Sequence, residues 1–295
     1  MTIELSGLTF TNKADIVPQS GADQILNQGT ANTLDGKDIL IGTSTTSDFN
    51  TVGINNYYGA IYTGDGDDII TGIMDGWGYG IQNYNAKAII DTGAGKDTIT
   101  AKASTYGIYN IDATINMGAG KDTITATGGD TGISNGGTIN TGDGSDIITG
   151  TATATDGSGY GGIFNNIDGI INTGNGNDII TGTGSPGIYN DGPINTGNGN
   201  DSIIANGGFN GMGNIFLGGQ KDYLKGFGNG NFYGGDSKDT LELTSGTYTI
   251  GISGTTVSFT KGSAIMHTSE FEKLIAGNQT YDFSSLTNDQ TIFIA

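Results

Sequence analysis

Apolar residues in this chain return in three columns, each repeating after about 25 residues, instead of following a helical period. The first column sits in a Gly-Ile-x-Asn element at 53–56, 80–83, 107–110, 132–135, 162–165 and 187–190, with a weaker Gly-Met-Gly-Asn at 211–214. The second is an isoleucine three residues before a glycine loop: Ile61, Ile90, Ile115, Ile139, Ile171, Ile194 and Ile215. The third lies two residues after an aspartate that closes the loop: Leu40, Ile70, Ile99, Ile124, Ile148, Ile180, Ile203, Leu224 and Leu241. Short β-branched runs punctuated by glycine predict three short strands per unit. No unit can bury its apolar side alone, but stacked coil on coil the columns form a continuous interior. The expected fold is all-β, a right-handed parallel β-solenoid (a β-roll or β-helix) capped at both ends. Strand spacing of ~4.8 Å makes it a rod roughly 40 Å long. The longest connection, Thr151 to Gly161, reads as a loop bulging from one corner.

The loops carry the chemistry. The segment T-G-D-G-D-D-I-I-T at 63–71 returns at 92–100, 117–125, 141–149, 173–181 and 196–204, with looser copies at 217–225 and 234–242 and a truncated one at 33–41. Its core is G-x-G-x-D: Gly64, Gly66 and Asp68, then Gly93, Gly95 and Asp97, then Gly118, Gly120 and Asp122. Gly142, Gly144 and Asp146 follow, then Gly174, Gly176 and Asp178, then Gly197, Gly199 and Asp201, and beyond them Asp222, Asp236 and Asp239. Glycines allow left-handed angles and turn carbonyls inward. Calcium takes six to eight oxygens from carboxylates and carbonyls mixed, and two stacked loops can supply them together. The alternative is a structural turn in which each carboxylate caps backbone amides.

Charge favours the cation. Lys+Arg total 11 against 30 Asp+Glu, a net charge of -19, and the basic residues are all lysine. The acids are nearly all aspartate, a residue of turns and hard-cation sites. Stacked anchor carboxylates ~4.8 Å apart repel by roughly 3 kcal/mol per pair at an effective dielectric of 20. The column is read as also holding Asp65, Asp67, Asp143 and Asp236, with Lys37, Lys96, Lys121, Lys221 and Lys238 supplying some neutralisation. An acidic chain without arginine lacks the basic footprint that nucleic acid requires. No apolar run approaches the ~20 residues of a membrane span.

These loops resemble the hemolysin-type repeats of RTX (repeats-in-toxin) proteins of bacteria, whose pattern is G-G-x-G-x-D-x-U-x. The closest copies are Gly234 to Glu242 and Thr63 to Thr71, and the resemblance covers about residues 33–242. It implies Ca2+ held by the loop glycines and aspartates named above. The sequence departs from the family at the first glycine, usually threonine here (Thr63, Thr92, Thr141, Thr173, Thr196), and at Gln220 and Ser237. It also has one such loop per coil where the family has two, so one row of ions is expected.

Residues 1–30 lack the repeat and read as an N-terminal cap, leaving 31–242 as the solenoid. They also lack the basic start and apolar core of a signal peptide. Residues 243–295 read as a C-terminal β cap: TYTIGIS and TTVSFT alternate as a hairpin, and the tail is similar to the uncleaved type I secretion signals of RTX proteins. That similarity implies an extracellular or cell-surface protein that folds when it meets calcium outside the cell. Zero cysteine agrees with an extracellular bacterial chain.

No catalytic constellation is present, and the lone histidine, His267, sits in no hydrolase motif. The expected function is therefore non-enzymatic: a secreted calcium-binding structural component, with end-to-end self-association or a cell-surface glycan as further partners. Two alternatives stay open. One is an ice-binding solenoid, from the outward column Thr71, Thr100, Thr125, Thr149 and Thr181; the other is a glycan-binding or glycan-modifying β-helix.

Overall fold

The computed structural model describes residues 2–18, 24–45, 51–154 and 159–295. Among these, strands pair in parallel, coil upon coil, into two long sheets of twenty and twelve strands. The larger sheet carries the first and second apolar columns, and the smaller carries the strands that follow the anchor aspartates. A short third sheet joins the loops themselves, through Ala94–Gly95, Ala119–Gly120 and Asp143–Gly144. The fold is the parallel β-solenoid that the columns imply. No helix among the described residues is long and apolar enough to cross a membrane.

Parallel register places identical residues on top of one another. Ile61, Ile90, Ile115, Ile139, Ile171, Ile194 and Ile215 are successive Cα partners. Ile54, Ile81, Ile108, Ile133, Ile163 and Ile188 stack likewise. With Leu40 to Leu241 as the third column, essentially every member is fully buried. A side chain on one of these strands alternates between core and solvent with period two, so in-register stacking keeps all three columns inside.

Two sequence expectations shift and a third lies outside the described residues. Met212 is 86% exposed, and the first column continues instead through Phe209, the Cα partner of Ile188. Parallel pairing also begins before residue 31: Val17 pairs with Leu40, Ile25 with Ile54 and Ala31 with Ile61. Val17 belongs to a rung that precedes the first loop copy, and in the next rung Ala31 stands in for the second-column isoleucine ahead of the truncated loop at 33–41. The bulge between Thr151 and Gly161 lies partly outside the described residues, at 155–158.

At the far end the pairing turns antiparallel. Gly246–Ser253 pairs with Thr256–Lys261, which pairs with Ala264–Ser269, and that strand lies parallel on Gly230–Asp236. The C-terminal Thr291–Ile294 closes the other side of Gly246–Ser253.

The asparagine of the Gly-Ile-x-Asn element performs a task that its place in a turn does not suggest. Asn27, Asn56, Asn83, Asn110, Asn135, Asn165 and Asn190 are all buried, and from Asn27 to Asn165 each Nδ2 donates to the Oδ1 of the next at 2.7–2.9 Å, the last, Asn190, donating to Asn214 O at 3.3 Å. Second donations go to backbone carbonyls, such as Asn83 Nδ2 to Thr114 O at 2.9 Å. A neutral amide both donates and accepts, so a column of them satisfies itself inside a low-dielectric core, except at its first member, Asn27, whose Oδ1 has no partner.

Candidate metal site

The anchor aspartates form a second interior ladder. Asp38, Asp68, Asp97, Asp122, Asp146, Asp178, Asp201, Asp222 and Asp239 are all buried, at the corner where each loop returns to the smaller sheet. The backbone N–H of each donates to the Oδ1 of the anchor one rung further along, at 2.7–2.8 Å from Asp38 through Asp239. The ladder is closed at both ends: Asp15 N–H donates to Asp38 Oδ1, and Asp239 N–H donates to Glu272 Oε2.

Amide capping thus accounts for one oxygen of each carboxylate. The other is unaccounted for: Oδ2 of all nine anchors is buried without a hydrogen-bond partner. A charged acceptor left unpaired in the interior is costly. The cost appears as proton affinity. Burial, opposed by the backbone N–H and, at Asp68 and Asp201, by the neighbouring hydroxyls of Thr63 and Thr196, and reinforced by neighbouring anchors, pushes Asp68 and Asp201 up to about 6, Asp122 to about 7 and Asp222 to about 8. Asp239 rises to about 6 from burial and from nearby acids including Glu272. Asp38, Asp97, Asp146 and Asp178 are raised as well, chiefly by burial. At neutral pH the column calls for either protons or a cation.

The expected neutralising and supplementary groups lie elsewhere. Asp65, Asp67, Asp143 and Asp236 are exposed on the outside of the loops, so they do not join the buried column. Lys37, Lys96, Lys121, Lys221 and Lys238 also face outward and pair with no anchor. This follows from alternation: the residue beside an inward anchor must point out. Among the described residues no three acidic or histidine side chains converge on one point.

The glycines named as ligand carbonyls do come together. Gly93, Gly118, Gly142, Gly174 and Gly197 all have positive φ, and their carbonyls accept N–H bonds from the next loop at 2.9–3.3 Å. A Cβ on Gly118 would lie 1.6 Å from Gly93 O, so close stacking requires glycine there. The second loop glycines, Gly66, Gly95, Gly120, Gly144, Gly176 and Gly199, stack as closely. The threonines in place of the family's first glycine explain part of the loop interior. Thr63, Thr92, Thr141, Thr173 and Thr196 are buried, and their hydroxyls donate to a carbonyl of the next rung.

The donor set therefore fits a hard cation in its carboxylates, one orphan oxygen per rung. Its loop carbonyls already serve loop-to-loop bonds and retain a second lone pair each. The residues that would hold calcium are the anchors, through Oδ2. Glu272 and the asparagine ladder are features the repeat does not announce. Glu272 has no periodic copy, whereas the asparagine could have been found from its fixed place beside a variable x.

The chain matches no family model and no curated protein sequence. Among solved structures it is similar to a hyperactive, Ca2+-dependent, β-helical antifreeze protein from an Antarctic bacterium, at 18% identity over 79% of this chain and 78% of that one. The TM-score is 0.35, too loose a superposition to transfer any property between the two proteins.

Proposed function

We propose that this chain is a calcium-stabilised structural rod: a non-enzymatic, exported protein whose anchor ladder takes up Ca2+ outside the cell. The observation that supports this is the column of nine buried carboxylates, each with one oxygen unpartnered. Calcium bound along the column would supply the missing partner and contribute folding free energy only where calcium is plentiful. The resemblance of the loops to RTX repeats supports the same reading, as does the surplus of aspartate. Cell-surface attachment and end-to-end association extend the proposal.

The competing account is a metal-free rod whose anchors carry protons. The double variant Asp122→Asn/Asp146→Asn separates the two, because the asparagine ladder shows that this coil accommodates stacked amides. If the anchors hold calcium, the variant loses part of the calcium-induced rise in melting temperature. If they are a protonated ladder, the variant melts higher than the parent in chelator at pH 8, and calcium moves neither.

A second reading, ice binding, is favoured by one observation. Thr71, Thr100, Thr125, Thr149 and Thr181 are in register on the outer side of the smaller sheet, and they do not stand alone. Thr98 and Thr123 flank them on one side, and Thr127, Thr151 and Thr183 on the other. The array is three columns wide, repeating at ~4.8 Å between rungs and ~6.8 Å along a strand. Ile147, Ile179 and Lys102 interrupt it. Under this reading, thermal hysteresis accompanies the folded chain and disappears in Thr125→Tyr. A freezing point equal to the melting point in the parent chain rejects it.

A further inference from the structure

The outer side of the larger sheet carries a cluster that neither the calcium ladder nor the threonine array uses. Tyr57, Tyr58, Tyr79, Tyr84, Tyr106 and Tyr109, from three consecutive rungs, form one connected group of rings with centroids 4.3–6.3 Å apart. Parallel register makes two of these contacts face to face. Tyr57 and Tyr84 are Cα partners with ring planes 14° apart and centroids at 5.5 Å, and Tyr79 and Tyr106 match them at 5.6 Å. The Tyr57 hydroxyl donates to that of Tyr58 at 3.4 Å, and Tyr58 is 49% exposed. Tyrosines elsewhere lack this arrangement: the Tyr223 hydroxyl is held by Glu242, and Tyr248 is buried.

We propose that Tyr57 and Tyr84 are a site of oxidative crosslinking, joining successive rungs by a dityrosine bond when a haem peroxidase and hydrogen peroxide are present. Each phenol gives up one electron and its hydroxyl proton, and the two phenoxyl radicals join through ring carbons ortho to oxygen. Each ortho hydrogen then shifts to its oxygen, restoring both phenols. The two electrons and two protons released reduce one peroxide to two waters. The stacked pair is held by the register of two parallel strands, so the partner of each radical is already in place before oxidation. The Tyr57 proton leaves to solvent, and Tyr58 beside it accepts only a hydrogen bond before oxidation. A covalent tie between rungs removes freedom from the unfolded chain, as any crosslink does.

The test uses the full chain, folded in calcium buffer and treated with a haem peroxidase and limiting hydrogen peroxide. Cleavage before aspartate separates the two tyrosines, since Asp65 and Asp75 lie between them. The expected result is dityrosine fluorescence in the monomeric product, with the Tyr57 and Tyr84 peptides joined and lighter by two hydrogen atoms. Tyr84→Phe keeps the stacked ring and loses the link, while Tyr189→Phe retains it. Crosslinks found only between chains, or a monomeric product in which the Tyr57 and Tyr84 peptides stay unjoined, would overturn the proposal.

Discussion

Stripping calcium from the chain at pH 7.5 lowers its thermal midpoint by roughly 10 °C, and returning calcium restores it. The magnitude follows from linkage: a cation at a hundred times its dissociation constant adds about 2.7 kcal/mol, so two such sites suffice for a shift of this size. Orphan oxygens on nine buried anchors provide more carboxylates than two sites require. Magnesium restores much less, because it holds its waters tightly and demands a rigid octahedron that a column of single carboxylates does not offer. Differential scanning calorimetry in chelator, calcium and magnesium gives the comparison. A midpoint unchanged by calcium contradicts the expectation.

The second large effect is an unusual pH dependence in chelator. Folding raises the anchors above the ordinary aspartate value, to about 6 at Asp68, Asp201 and Asp239, about 7 at Asp122 and about 8 at Asp222. A group whose pKa rises on folding binds more protons folded than unfolded, so stability falls as pH rises through that interval. The contribution is fully present below about pH 4 and is lost progressively as pH climbs through 6 to 8. The metal-free chain therefore melts higher at pH 5 than at pH 8, by roughly 10 °C; the carboxylates interact along one column, so their individual shifts do not add. Saturating calcium removes this decline, because a bound cation keeps the carboxylates ionised in the folded state. Melting curves from pH 5 to 8, with and without calcium, settle the sign. A metal-free chain that gains stability towards pH 8 rules out an uncompensated ladder.

Much of this architecture is written plainly in the chain. An isoleucine or leucine on nearly every strand of each coil fixes the inward face, because parallel strands register equivalent residues. The repeat is less informative where the chemistry is read across rungs. Asn110 looks like a turn residue in one coil, and becomes a ladder member only when Asn83 lies below it and Asn135 above. Thr92 reads as a departure from a glycine consensus, yet its buried hydroxyl bonds the next rung. Asp65 and Asp67 read as additional ligands because they neighbour an anchor in sequence, whereas strand alternation sends them outward. Tyr57 and Tyr84 are separated by 27 residues, and nothing but register brings their rings together. Glu272, which closes the aspartate ladder, comes from the cap and follows no period.

Whether the anchor column holds calcium decides between a metal-stabilised rod and a protonated one, and the most direct measurement is the number of ions bound. Equilibrium dialysis of the folded chain against buffered calcium, followed by elemental analysis, counts them. Several calcium ions per chain, with fewer in Asp122→Asn/Asp146→Asn, is the predicted result. No calcium above the buffer level, in a chain whose circular dichroism is already fully β in chelator, would contradict it and leave a rod whose buried aspartates carry protons.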